Sequence, residues 1–273
     1  MTFAFCINNV YADKIAVVMT SLLENHPKEL CYFYILSSDL TKENLTKLDK
    51  LHKKYKNFSI KKVDVPVQKF SSLKLNINYI SKETYYRYLI ADLLPDIDKI
   101  LYLDADLIIR KNITSFYQKN IDNCYLMGVE DLWIKKLGYK PKINTVPDTP
   151  YVNAGVLLMN LKKMRQDRLS EFFLDKTKSL AGKIQYQDQD IINIVCAGMI
   201  GLVDSIYNFT SENMKQEKKK RSKACILHYT GQNKPWGKKK VRMKSVWQTY
   251  NRKTQSILNK ENLYSWLTTF FKR

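Results

Sequence analysis

The feature that most constrains this chain is its alternation, over the first hundred residues, of short apolar runs with amphipathic stretches. Residues 2–7 form a run that is apolar after Thr2, as expected of a strand covered on both faces. Residues 13–24 then set Ile15, Val18, Met19 and Leu22 on one helical face. Tyr32–Leu36 reads as a second strand, and Leu40–Tyr55 as a helix burying Leu45, Leu48 and Leu51. Phe58–Val65 is the third strand, and a helix capped by Ser81 runs to Leu94, where Pro95 stops it. Ile97–Leu103 is the fourth strand. Strand–helix alternation of this kind specifies an α/β fold: a mostly parallel, Rossmann-like sheet with helices on both faces. Further on, residues 131–150 read as a loop over the carboxyl edge of the sheet, Tyr151–Leu161 as a strand, and Leu169–Leu180 and Asp188–Ala197 as helices.

Four segments carry chemistry. An apolar strand, Ile100–Leu103, runs into Asp104-Ala105-Asp106 and then resumes apolar. In extended chain, residues two apart point the same way, so both carboxylates project together at a strand's carboxyl end, where open α/β sheets bind ligands. Paired hard oxygen ligands suit Mg²⁺ or Mn²⁺ bridging a diphosphate. Asp96-Ile97-Asp98 and Asp188-Gln189-Asp190 show the same three-residue pattern, so strand context is what singles out Asp104 and Asp106. Asn153-Ala154-Gly155 offers an amide and a bare backbone that a ligand can approach. Asp188 and Gln189 open a helix, where acids stabilise the dipole. His228 follows an apolar strand, with Gly231 and Lys234 placed to hold a phosphate through a backbone N–H and a point charge. His26 and His52 have no such company and read as surface residues on helices.

Together, Asp104-Ala105-Asp106, Asn153-Ala154-Gly155, Asp188-Gln189-Asp190 and His228-x-x-Gly231-x-x-Lys234-Pro235-Trp236 resemble the family 8 retaining glycosyltransferases, which include lipopolysaccharide galactosyl- and glucosyltransferases and glycogenin. The resemblance spans residues 1–240 and implies a GT-A fold, a UDP-hexose donor and Mn²⁺, with Mg²⁺ as the alternative. It makes Asp104, Asp106 and His228 the metal ligands, and gives the diphosphate to Gly231 and Lys234. Asn8 and Tyr11 would contact uridine, although Val10 departs from the family pattern there. Arg87, Ala105, Ala154 and Gly155 would line the donor site, and Asn153, Asp188 and Gln189 would face the sugar and serve catalysis. Retention implies an α-linked product. Gln189 is a poor nucleophile, which favours front-face attack over a covalent intermediate, with Asp188 as the alternative nucleophile.

The net charge of +20 calls for an anionic partner. Its lysines concentrate around Lys215–Lys223 and Lys238–Lys244, flanking the phosphate segment, not interleaved with exposed aromatics as nucleic-acid binding requires. No nucleic-acid partner is therefore expected, and Lys215–Lys223 reads as a solvated loop. A nucleotidyltransferase is the rival enzyme class; it would release pyrophosphate instead of UDP. Scattered cysteines, five in number, point to reduced thiols in a cytoplasmic protein. No apolar run reaches the roughly 18 residues that span a bilayer, and the N-terminus reads as a strand, not a leader. Residues 241–273 form a basic, aromatic helical tail suited to peripheral attachment at an anionic membrane, or to packing on the domain. The expected acceptor is a glycan, lipid-linked glycan or glycoprotein, as in bacterial surface-glycan synthesis.

Overall fold

The computed structural model describes residues 1–73, 75, 81–139 and 149–259. Seven strands form the main sheet: β1 (Thr2–Cys6), β2 (Cys31–Ser37), β3 (Phe58–Asp64), β4 (Lys99–Leu103), β6 (Leu126–Gly128), β7 (Val156–Asn160) and β8 (Ile200–Leu202). Their order is β3-β2-β1-β4-β7-β6-β8, with β5 (Leu107–Ile109) and β9 (Ile226–His228) paired separately. Strands β3, β2, β1 and β4 run parallel, whereas β7 is antiparallel to both β4 and β6.

The apolar run of β1 is explained by cover on both sides. Phe3 and Phe5 pack into one core with helix Ala12–Asn25, while Ala4 faces the other core, with Tyr85, Tyr88, Phe173 and Ile191. Strand order reverses between β1 and β4, which opens a crevice beyond their carboxyl ends.

Several local expectations are corrected. Residues 82–94 form a 3-10 helix (Lys82–Leu89) followed by one α-turn (Ile90–Leu93), and the Ser81 side chain makes no cap bond. The stretch from 131 is not all loop, since Asp131 caps a helix over Leu132–Leu137; Pro141 and Pro147 lie outside the described residues. The strand expected over Tyr151–Leu161 begins only at Val156. Lys215–Lys223 folds into the end of one helix (Ser211–Gln216) and a 3-10 turn (Lys218–Lys220), tied down by Lys220 to Glu217 at 3.0 Å and Arg221 Nε to the Met214 carbonyl at 2.7 Å. His26 is buried: Nδ1 contacts the Leu22 carbonyl at 2.8 Å and Nε2 accepts the Ile113 N–H at 2.8 Å, joining helix to core.

Helix Lys244–Leu258 lies against helix Ala12–Asn25, with Ile257 and Leu258 in the same core as Phe3. The aromatic segment Leu263–Arg273 falls outside the described residues. Among the described residues no helix is long and apolar enough to cross a membrane. All five cysteines are free thiols.

Glu24 links the two helices, accepting from Lys54, Lys253 and the Tyr55 hydroxyl (2.9 Å). Partial burial pushes its carboxyl up, but these donors together bring it down to about 2. A carboxyl that titrates lower when folded contributes its stability above the ordinary value of 4.5 and loses it as pH falls toward about 2. Because both lysine partners are well exposed to solvent, Glu24→Gln is expected to cost only about 1 kcal/mol at neutral pH. Urea titrations of both proteins should show that difference narrowing as pH drops below 4.5; a difference independent of pH would reject the ion-pair account.

Candidate active site

Two strand pairings assemble the site. The antiparallel register of β4 and β7 sets Leu103 opposite Val156, so the Asp104 N–H donates to the Gly155 carbonyl at 2.8 Å. The pairing of β5 with β9 sets Leu107 opposite His228, and the Tyr229 N–H donates to the Asp106 carbonyl at 2.9 Å. His228 is thereby delivered beside two aspartates far away in sequence. The chain from Asp104 to Asp106 is not extended, as expected from the sequence, but bent between β4 and β5. That bend turns both carboxylates toward the imidazole.

His228 Nε2 lies 3.1 Å from Asp106 Oδ1 and 3.7 Å from Asp104 Oδ2. The other Asp104 oxygen is taken: Oδ1 accepts from the Tyr102 hydroxyl at 2.6 Å and from Arg87 Nη2 at 3.1 Å. Asp106 Oδ2 receives the Lys234 ammonium, whereas buried Asp106 Oδ1 has no hydrogen-bond donor among the described residues. Burial alone would raise the Asp106 carboxyl, but the Lys234 ammonium leads the groups that hold it well below the usual range. Three ligand atoms therefore face one another within 4.8 Å. Two carboxylate oxygens and an imidazole nitrogen converging in this way form a donor set that suits a divalent metal.

Arg87 organises the opposite wall. It is 6% exposed, stacks 4.3 Å from the Tyr102 ring centroid, and donates Nη1 to the Ala154 carbonyl at 2.6 Å. Its Nε lies 3.1 Å from Asp188 Oδ2, and the Thr84 hydroxyl donates to Asp188 Oδ1. Burial still pushes the Asp188 carboxyl above its ordinary value, though Arg87 opposes the shift. Asp188 sits inside helix Gln187–Val195 and does not cap it. Gln189 is equally committed: Oε1 accepts from Asn153 Nδ2 at 3.1 Å and the Ala154 N–H at 3.0 Å, and Nε2 donates to Asp131 Oδ2 at 3.2 Å. The third acid of that segment, Asp190, is structural, taking the Tyr139 and Tyr151 hydroxyls and the Gln185 and Tyr186 N–H groups.

Gly155 has to be glycine. A Cβ there would stand 2.2 Å from His228 Cε1 and 2.6 Å from Asp104 Oδ2. Gly231, by contrast, needs its hydrogen for conformation, with φ +85° and open space around it.

These walls enclose one cleft of about 540 Å³. Asn8, Tyr11, Arg87, Asp104, Ala105, Asp106, Asn153, Ala154, Gly155, Asp188, Gln189, His228, Gly231 and Lys234 all line it. Asn8 Oδ1 is buried without a partner among the described residues, and Tyr11 meets Trp236 edge-on at 6.1 Å, while Val10 is 80% exposed beside them. Sequence reasoning missed Tyr102, Thr84, Asp131 and Asn208. Only Tyr102 left a signal, standing two residues before Asp104 on the same strand.

A switch-point cleft with this strand order and these acids is the architecture of the GT-A glycosyltransferases. The crystal structure of the galactosyltransferase LgtC with donor and acceptor sugar analogues superposes with a TM-score of 0.85, at 28% identity, covering 93% of this chain and 96% of that one. The chain belongs to glycosyl transferase family 8, whose model matches residues 2–240. A Haemophilus influenzae protein described only as a glycosyltransferase is 32% identical over 88% of this chain and 74% of its own. The lipopolysaccharide 1,2-glucosyltransferase of Escherichia coli is 28% identical over 84% of this chain and 71% of its own. This protein is thus a glycosyltransferase.

Proposed function

We propose that the enzyme moves a hexose, galactose or glucose, from a UDP-sugar to a glycan, lipid-linked glycan or glycoprotein acceptor, with retention and hence an α-linkage. The observation that carries this reading is the trio Asp104 Oδ2, Asp106 Oδ1 and His228 Nε2, left facing one another at the switch-point cleft. Asp104, Asp106 and His228 would hold Mn²⁺, or Mg²⁺ in its place, which when bound neutralises charge growing on the departing diphosphate. Lys234 adds a second positive charge at that point, and the left-handed Gly231 lines the cleft beside it with its backbone uncovered by any side chain of its own. Asn8, with its orphaned Oδ1, and Tyr11 are placed to receive uridine.

Front-face attack fits the other wall. Thr84 and Arg87 engage both Asp188 oxygens, and two N–H groups engage Gln189 Oε1, which lowers the nucleophilicity of either side chain and supports the front-face route. The acceptor hydroxyl oxygen then bonds the anomeric carbon on the face that the phosphate leaves. The C–O bond electrons pass to UDP, and the hydroxyl proton goes to the leaving phosphate oxygen. Asp188 and Asn153 with Gln189 stabilise the positive sugar and orient it. The relatives named for lipopolysaccharide support a surface-glycan acceptor. The catalytic unit lies within residues 1–240, and the basic segment beyond it would rest on the inner face of the membrane from the cytoplasm.

The deciding assay measures UDP release with Mn²⁺ from UDP-galactose, UDP-glucose, UDP-N-acetylglucosamine and GDP-mannose without acceptor. Slow release from one UDP-hexose is expected. No release from any donor, with no metal-dependent UDP binding, would sink the reading, and pyrophosphate release would point to nucleotidyl transfer.

A further inference from the structure

Behind His228 runs a line of polar side chains, of which the steps above use only Asn153. His228 Nδ1 lies 2.9 Å from Asn208 Oδ1; Asn208 Nδ2 donates to Asn153 Oδ1 at 3.0 Å; Asn153 Nδ2 donates to Asp131 Oδ2 at 3.0 Å. All four side chains are buried, Asn208 completely. The two ends of an amide have nearly the same shape, so its orientation has to follow from partners with a single role. Asn153 has two of these. The Gly155 backbone N–H can only donate, and it reaches Oδ1 at 3.1 Å. Asp131 collects donors at both oxygens, from the Trp133 and Ile134 N–H groups on Oδ1 and from Gln189 Nε2 on Oδ2.

With Asn153 fixed, Asn208 has to turn Nδ2 toward it and Oδ1 toward the imidazole. An acceptor 2.9 Å from Nδ1 demands a proton there. In the neutral ring that leaves the lone pair on Nε2, the atom facing Asp106 Oδ1 and Asp104 Oδ2. The opposite tautomer would offer a donor to Asp106 but would press two lone pairs together in a buried site, where such a mismatch is costly. Asn208 itself is held by its N–H to the Ser205 carbonyl at 3.2 Å and by the bridge of Phe209 to Leu227 on β9.

We propose that Asp131, Asn153 and Asn208 form a positioning relay that fixes the neutral His228 ring as its Nδ1–H tautomer, so that Nε2 is presented as a ligand before any metal arrives. This deepens the metal-site reading above and rests on it. Asn208 is a positioning residue, acting through His228 alone.

The test reads the tautomer directly. Long-range ¹H–¹⁵N correlation spectra of the metal-free protein at alkaline pH resolve its three histidines, with the His228 signals identified by their loss in His228→Gln. Wild type is expected to show Nδ1–H. Asn208→Leu, nearly isosteric but unable to accept, should shift the ring toward Nε2–H and weaken Mn²⁺ binding by about 10- to 100-fold in calorimetry. Asn208→Asp restores an acceptor and should keep Nδ1–H. An Nε2–H ring in wild type, or an unchanged tautomer in Asn208→Leu, overturns the relay. A wild-type protein that shows Nδ1–H yet binds no Mn²⁺ contradicts the metal reading and leaves the relay standing.

Discussion

Gly155→Ala is expected to lower UDP release by about a thousandfold or more and to abolish Mn²⁺ binding while leaving the protein folded. The added methyl would sit 2.2 Å from His228 Cε1 and 2.6 Å from Asp104 Oδ2, so one of the two ligands has to move by about an ångström. Neither can do so cheaply. His228 is 2% exposed, hydrogen-bonded to Asn208 and carried by the β5–β9 pair. Asp104 is gripped by Tyr102 and Arg87 on its other oxygen. The strain therefore falls first on the geometry of the ligand trio, because the three atoms nearest the new methyl all belong to His228 and Asp104. The same substitution at Gly138, which faces open space, meets no neighbour and strains only its left-handed backbone. UDP release and Mn²⁺ titration, paired with an unfolding curve for each variant, check this. Near-wild-type turnover in Gly155→Ala would mean that His228 and Asp104 do not act together.

How far the sequence reaches depends on whether a residue's partner is local. The apolar run of residues 2–7 and the helix face of Ile15, Val18, Met19 and Leu22 are periodic signals, and both elements form where the pattern puts them. Asp104 and Asp106 stood out because a strand delivers them, although a bend and not an extended chain brings them together. His228 stood out after its own apolar strand, but only the family resemblance joined it to Asp104 and Asp106, since that grouping depends on the pairing of Leu107 with a residue over a hundred positions away. His26 went wrong for the same reason. Its partner is the Ile113 N–H, which no periodicity around residue 26 announces. Asn208 left no trace at all, because an asparagine between Tyr207 and Phe209 looks like any turn residue until Asn153 and His228 close around it.

Arg87 carries the largest expected effect on stability. Its guanidinium serves Thr84, Ala154, Asp104 and Asp188 at once, from a position 6% exposed. Lysine offers a point charge without the fork and cannot replace it. Arg87→Ala strands Asp188, which is 4% exposed, and removes a partner from Asp104, so unfolding free energy should fall by about 3–5 kcal/mol. The cause is the unpaired carboxylate and not lost contact area, and that distinction can be measured. Adding Asp188→Asn removes the stranded charge and should recover part of the loss. Acid should act likewise. Burial already pushes the Asp188 carboxyl up, and without Arg87 it rises further, so the folded variant takes up a proton that the unfolded chain does not yet hold. A carboxyl with a raised folded value contributes stability at low pH and loses it as pH climbs, so the deficit of Arg87→Ala should shrink as the solution is acidified. Denaturant titrations of the single and double variants across that range decide the matter. If the double variant is no more stable than Arg87→Ala, and the deficit does not change with pH, the side chain acts by packing on Tyr102 and not by holding two buried acids.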